Sequence, residues 1–392
     1  MLNPPTPRVL TLPDNRFVSQ TRCSSRLRAM PRPTSKRPST HAKPVARRPA
    51  AAPADIRIGP LLPVPGLLRE SGIDPAPLLA AAGIAASAFD DAGTRVPFDA
   101  AARLLHEAAR AAKREDFGLL VGQRFDFGSL GLLALLMQRA PTVGDALRSL
   151  ERHLHLHDRG AVVYLRASPA GRVALGYAVH DAATPGVGAV YDLSMTIGAA
   201  MLRALCGPAW WPREVHLPHG RPAAPLAWRR NFGAPVVFDA TAAEIWFEAS
   251  CLEQRPPHAD PAQQLELLRI AQQSEAALAL AMAERARHVA RALVMTGALT
   301  GDRVAEALSL HPRTLRRRLA AEGTSLTAVA AAARFDVARQ LLRETGVALG
   351  EIADLLGYAD LSAFVRAFRN WAHCPPGQWR AAARLKRPPA AP

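Results

Sequence analysis

Apolar positions recur at three- and four-residue spacing along most of this chain and at two-residue spacing only in a central stretch; that change of period sets the first division. Leu67-Leu68 and Leu78-Leu79 predict two short helices separated by Gly72 and Pro75. Pro97 is placed to open a helix running to about Lys113, with Phe98, Ala101, Leu104 and Leu105 on one face. Residues 117–121 and 130–137 read as buried helical segments, and residues 143–156 as an amphipathic helix through Val143, Leu147, Leu150 and Leu154. The period then shortens. Residues 161–166 and 172–179 are β-branched or alternating and flank Ser168-Pro169-Ala170-Gly171, a hairpin signal. A small-residue helix over 187–205 ends at Gly207-Pro208. Further strands are expected at 214–217, 236–238 and 244–247. Pro256-Pro257 and Pro261 mark a boundary, followed by a helical region over 262–296.

The last 90 or so residues carry one pattern twice. A helix over 302–308 turns Val304, Ala305 and Leu308 inward, residues 309–311 form a turn, and Pro312 opens a second helix that Gly323 stops. At about 100° per residue, Pro312, Leu315 and Leu319 share one face of it. Arg313 and Arg317 take the opposite face, with Arg316 on the flank. The second copy has a helix over 349–356 (Ile352, Ala353 and Leu356 inward), a Gly357-Tyr358-Ala359 turn, Asp360 as N-cap and a helix over 361–371. Leu361, Phe364, Phe368 and Trp371 are expected on its inner side, and Ser362, Arg366, Arg369 and Asn370 on its outer side. A connecting helix over 327–344, buried through Val329, Val337, Leu341 and Leu342, would be about 27 Å long. That could hold two reading helices roughly one turn of DNA apart, about 34 Å. A lone arginine run most often lines a solvated face; a short helix with leucines on one stripe and arginines on the other, present twice, suits a DNA major groove, where arginine pairs with guanine N7 and O6.

Charge sharpens the division. Residues 1–54 hold 11 Lys+Arg and one acid, residues 55–299 hold 24 of each sign, and residues 300–392 hold 14 basic and eight acidic residues. A neutral body with a basic end is the footprint of a polyanion-binding module attached to something else. The expected partition is a disordered basic Pro/Arg-rich tail (1–54), an α+β effector-sensing or oligomerisation domain (55–254), a helical connector (255–299), an all-α domain with two helix-turn-helix units (300–385) and a short tail (386–392). The first segment has too little apolar periodicity to offset its ordering entropy. A plain tail, or a translation start placed too far upstream, accounts for it better than targeting. No run of 18 apolar residues predicts a membrane span, and no apolar segment with a cleavage site predicts a secretory signal. The cysteines, Cys23, Cys206, Cys251 and Cys374, are scattered without a C-x-x-C pair, which fits a reducing cytoplasm; Cys374 reads as a packing residue.

Over about 85 C-terminal residues the chain resembles the AraC/XylS-type regulators. The matching residues include Val304-Ala305, Leu308, Arg313-Thr314-Leu315, Arg317, Leu319, Gly323-Thr324-Ser325, Arg334, Ala338 and Leu341-Leu342. They continue through Ile352-Ala353, Leu356-Gly357-Tyr358, Asp360, Ser362, Phe364, Arg366, Phe368-Arg369, Trp371, Pro376 and Arg380. Ser309, His311, Asn370 and His373 depart from the pattern, standing where a turn glycine, a capping serine, a basic residue and a glycine are usual. Upstream, Leu67 to Gly83, Phe117-Gly118-Leu119, Ser129 to Leu133, Pro141 to Leu147 and Arg229 to Val236 resemble, more loosely, the arabinose-binding-like N-terminal domain of one AraC subgroup. The resemblance implies DNA contacts from Arg313, Thr314, Arg316, Arg317, Ser362, Arg366 and Arg369. It implies effector sensing and dimerisation upstream, without establishing arabinose as the ligand.

Other chemistry is sparse. His153, His155 and His157 alternate, as metal ligands on a strand can, but the pattern before them is helical, and i, i+2, i+4 do not share a helix face; a polar helix end is favoured, with a pocket wall as a further option. Met195 and Met201 read as core, and Trp210-Trp211 as either a pocket lining or a packing cap. No G-x-S-x-G elbow, P-loop or H-E-x-x-H motif occurs, so no catalytic residue, metal or cofactor is assigned. The expected function is a cytoplasmic, effector-responsive transcription regulator on double-stranded promoter DNA, with a second copy of the chain and RNA polymerase open as partners and no membrane. The alternatives are an architectural DNA binder whose middle domain only oligomerises and, further off, an enzyme with a DNA-binding tail.

Overall fold

The computed structural model describes residues 54–168, 170–180, 186–277, 281–308 and 310–385. The expected basic tail lies outside these residues except for Ala54, as do Ser309 in the first turn and the tail over 386–392. The chain opens on β1 (Asp55–Arg57), which pairs antiparallel with β2 (Arg95–Pro97). Between them run α1 (Val64–Glu70) and α2 (Pro75–Ala82), the latter capped by Asp74, which accepts from Ala76 N. Next come α3 (Phe98–Ala111), α4 (Phe117–Gln123), α5 (Leu132–Gln138) and α6 (Val143–His153), close to the segments the periodicity predicts. A 3-10 turn over Leu154–Leu156 leads into the hairpin of β3 (Ala161–Ala167) and β4 (Arg172–Val179). Then follow α7 (Val187–Cys206), β5 (Glu214–His216), α8 (Leu226–Phe232), β6 (Val236–Val237) and β7 (Ala243–Glu248).

The strands form a five-stranded sheet in the order β3-β4-β7-β5-β6, antiparallel except for β5 with β6. Its two faces follow from strand alternation. Val163, Val173, Leu175, Tyr177 and Val179 turn into the core shared with α3 and α7. Val162, Tyr164 and Ala178 turn the other way, into a second core. By length and composition α7 could cross a membrane, yet most of it is buried between the sheet and neighbouring helices. Its contact with α4 explains the Phe117-Gly118 motif. A Cβ on Gly118 would lie 2.4 Å from Ala189 O, and one on Gly122 2.6 Å from Thr196 Cβ, so only glycines allow this approach.

The helical region expected over 262–296 is two helices, α9 (Pro261–Ala277) and α10 (Met282–Met295). The first packs Leu267 and Ala271 on Leu136 and Leu156. The second belongs to the other core: Met282, Ala286, Ala290 and Val294 pack with the helices that follow it and with the outer sheet face. Those helices are α11 (Gly301–Ala307), α12 (Pro312–Ala321), α13 (Leu326–Glu344), α14 (Leu349–Leu355), α15 (Leu361–Ala372) and α16 (Pro376–Leu385). An α+β region is thus followed by an all-α region with two helix-turn-helix units, as the pattern predicts.

Candidate DNA-binding surface and an internal cavity

In the first unit, Thr300 caps α11 by accepting from Arg303 N at 3.2 Å. His311, in the place where serine is usual, caps α12: its Nδ1 accepts from Arg313 N at 3.2 Å, and Pro312 supplies the first helical position. Leu315 and Leu319 are fully buried, Thr314 is half-buried, and Arg313, Arg316 and Arg317 are exposed. Arg318, which the sequence reading did not single out, is exposed as well. Glu322, just past α12, accepts from the backbone N–H groups of Met282 (2.6 Å) and Ala283 (2.8 Å), so the end of one helix caps the start of α10.

In the second unit, Gly357 makes the turn after α14 with φ 73°, a conformation that costs a side-chain-bearing residue energy. Asp360 caps α15, accepting from Ala363 N at 2.7 Å. Phe364 and Phe368 are fully buried in an aromatic group: Phe335 lies 5.5 Å from Phe368 and 5.4 Å from Trp371, centroid to centroid. Ser362, Arg366, Arg369 and Asn370 are exposed. Leu361 departs from expectation: it is 43% exposed, because as the first residue of α15 it projects beyond the packed end of the helix.

The motif arginines separate into two kinds. Arg334 donates to Leu356 O (2.9 Å) and Arg380 to Val347 O, so both hold the helices together. Among the described residues, Arg313, Arg316, Arg317, Arg366 and Arg369 enter no ion pair. With Arg318, that makes six exposed guanidinium groups without an ion pair on α12 and α15 among the described residues, which is what a phosphate- and base-contacting surface requires.

The α+β region encloses a cavity of about 90 Å³, counted as the space open to the centre of a water molecule, between the β3–β4 hairpin and the helices α3, α5, α6 and α7. Its wall is apolar, Met195 and Met201 included, except at His157, Asp158, Tyr177 and Ser194. Asp158 accepts from Gly160 N and from the Tyr177 hydroxyl, both at 2.7 Å. Burial pushes the Asp158 carboxyl up to about 6. Burial, with the Arg57 and Arg95 charges nearby, brings the His157 imidazole down to about 3, and neither of its ring nitrogens has a hydrogen-bond partner.

The other histidines of the alternating run act differently. His153 Nδ1 and His155 Nε2 lie 3.0 and 3.2 Å from Glu275 Oε1, tying the end of α6 to α9. Among the described residues, no group of three or more His, Cys, Asp or Glu side chains is arranged to hold a metal. Trp210 and Trp211 are outside the cavity wall: Trp210 packs edge-on to Phe247, and Trp211 lies under the Arg203 guanidinium at 4.1 Å. The stretch around Arg229 builds α8, whose role the sequence did not reveal: Trp228 donates to the buried Asp192 of α7 at 2.7 Å, and Asn231 to Thr196 at 2.9 Å.

The two regions meet through specific bonds. Arg291 of α10 donates to His180 O at 2.7 Å. Asp336 of α13 receives Arg287, Arg291 and Arg339. Gln340 Nε2 of α13 donates to the Tyr191 hydroxyl of α7 at 3.0 Å, and the Tyr191 ring stands edge-on to Tyr177 at 6.3 Å.

Comparison with known proteins matches both regions. Residues 72–256 fit the model of the arabinose-binding domain of AraC transcription regulators, and residues 304–382 that of a helix-turn-helix domain. The HTH-type transcriptional regulator VirS of Mycobacterium tuberculosis is 30% identical over 316 residues, covering 80% of this chain and 93% of the relative. The ornithine utilization regulator of Pseudomonas aeruginosa is 28% identical over 332 residues, covering 81% and 93%. The crystal structure of the transcriptional regulator CdpR from Pseudomonas aeruginosa aligns with 78% of this chain and 96% of its own at 24% identity, with a TM-score of 0.40. An arabinose-binding-type domain and a double helix-turn-helix domain on one chain, with a relative matched over nearly its whole length, lead to one conclusion: the chain belongs to the AraC family of DNA-binding transcription regulators.

Proposed function

We propose that this regulator answers to a small effector held in the cavity of the α+β region, and that it reads its promoter with Arg313, Thr314, Arg316 and Arg317 in one half-site and Ser362, Arg366 and Arg369 in the other. The observation that carries the effector reading is the Gln340–Tyr191 hydrogen bond. It joins the helix between the two reading units to a ring packed on Tyr177, which forms part of the cavity wall. A ligand that changes the Asp158–Tyr177 corner can therefore bias how α13 sits. It does so only to the extent that it binds the two arrangements with different affinity.

Arg313 and Arg317 serve base reading in this account, and Arg366 and Arg369 phosphate anchoring. Chromatin immunoprecipitation with sequencing supplies the target sites. Gel-shift titration of the full chain on those sites and on random DNA, with promoter output measured in parallel, then tests the reading. A regulator prefers its sites and changes output. An architectural binder whose N-terminal region only oligomerises binds both DNAs alike.

A further inference from the structure

The cavity's composition says more about its occupant than the name of the matched domain does. Nearly all of the wall is carbon, and its polar groups, His157, Asp158, Tyr177 and Ser194, are few. A pentose carries hydroxyl groups all round its ring, and burying them against carbon without partners is unfavourable. A sugar thus suits a wall with polar groups on several sides. Near His157 lie charges of both signs. Asp158 on one side and Arg57 and Arg95, both donating to Leu156 O, on the other single out neither sign, and burying an ion in an otherwise carbon wall is costly. His157 is 4% exposed and both its ring nitrogens lack a partner, so its neutral ring has one donor and one acceptor to offer.

We propose that the cavity takes a small hydrophobic molecule bearing a single uncharged polar group, received by His157 beside Asp158 and Tyr177. This rests on the cavity being the effector site, and it narrows the effector to phenol-like or medium-chain alcohol-like compounds. Burial keeps His157 neutral throughout the physiological range, while the neighbouring Asp158 carboxyl, pushed up to about 6, changes charge near its acid end.

The test uses the full-length protein and four probes: p-cresol, toluene, hexanoate and L-arabinose. Calorimetric titration should show saturable p-cresol binding, with a matching rise in Tm by linkage. Toluene, which has the same ring without the hydroxyl, should bind about tenfold more weakly. Hexanoate and L-arabinose should leave Tm unchanged at millimolar concentration. His157→Phe should lower p-cresol affinity to that of toluene. Ala101→Leu adds bulk to the cavity wall and should weaken both aromatic probes at least tenfold without lowering the Tm of the free protein. It carries the test should His157→Phe fail to fold. Binding of L-arabinose or hexanoate more tightly than p-cresol overturns the proposal, as does the lack of saturable binding by either aromatic probe. Binding of p-cresol that leaves promoter occupancy and output unchanged supports the ligand class and counts against the sensor reading alone.

Discussion

Exposed arginine is distributed differently in the two regions. On the surface of the α+β region, exposed arginines are of both kinds: Arg110, Arg124, Arg148 and Arg213 are paired with Glu107, Glu70, Asp145 and Glu248, while Arg69, Arg152, Arg221, Arg229 and Arg230 enter no ion pair among the described residues. On α12 and α15 the exposed arginines enter no ion pair among the described residues. Each exposed pair adds little stability but leaves no net charge facing out. Unpaired guanidinium groups keep their field and their donors for a polyanion. What separates the regions is concentration: on α12 and α15 every exposed arginine is without an ion pair among the described residues, whereas in the α+β region such arginines are interspersed with paired ones.

The most direct way to break this contrast is to remove one arginine from each side. Arg313→Ala and Arg317→Ala should each cost about 1–3 kcal/mol of specific binding and relax base preference at one half-site. Arg124→Ala, which removes a paired arginine, should leave DNA binding unchanged. Gel-shift titration on specific and random DNA measures both. Equal loss on the two DNAs would remove the base-reading assignment. Arg366→Ala and Arg369→Ala should instead weaken all sequences alike and flatten the salt dependence.

The junction between the regions carries the next effect. His288 of α10 stands edge-on to His180 and His155, and burial, with the His155 and Arg291 charges, brings its imidazole down from 6.5 to about 3. Below its ordinary value the unfolded chain takes up a proton that the folded chain refuses. This contribution to stability is therefore intact above about pH 6.5 and lost as pH falls toward 3. His288→Phe should make the stability loss between pH 7.5 and 5 smaller by about 2 kcal/mol, read from urea denaturation at both values. An unchanged pH dependence would mean that the ring is solvated in solution.

A finer test asks whether the regions are docked as described. A double-mutant cycle of Tyr191→Phe and Gln340→Leu should give a coupling of about 1 kcal/mol in chemical denaturation. A coupling near zero would remove the link from cavity to reading helices. The smallest effect is expected at His373, which ends α15 with φ 58°, where glycine is usual. His373→Gly should raise stability by about 0.5–1 kcal/mol, since relief of left-handed strain outweighs the added freedom of the unfolded chain. A lower Tm for that variant would show that the histidine side chain holds a contact of its own.

The reading helices were legible because their two stripes differ in kind, leucine or phenylalanine inward and arginine outward. Leu361 departs from the pattern because a helical wheel has no ends: it shares an angular sector with Phe364, but at the first position of α15 it stays 43% exposed. Arg334 and Arg366 are indistinguishable in sequence, since the role of Arg334 depends on the carbonyl of Leu356, 22 residues away. The β1–β2 pair went unread because three-residue strands carry almost no periodic signal and their partners are 38 to 42 residues apart. The cavity was invisible for a related reason. Its walls are the same apolar residues that predict a core, and nothing in their order says that they stop short of touching.

The grip of Glu322 on the first N–H groups of α10 bears on how such regulators can be recombined. A chimera that takes this chain from residue 300 onward would place Glu322 against a foreign helix, and the reciprocal chimera would strand the donors of Met282 and Ala283. A seam between residues 277 and 282 would instead carry α10 across with the partners that share its core. The transferable cassette is then longer than its two reading units, and its natural splice site lies ahead of the helix that those units hold.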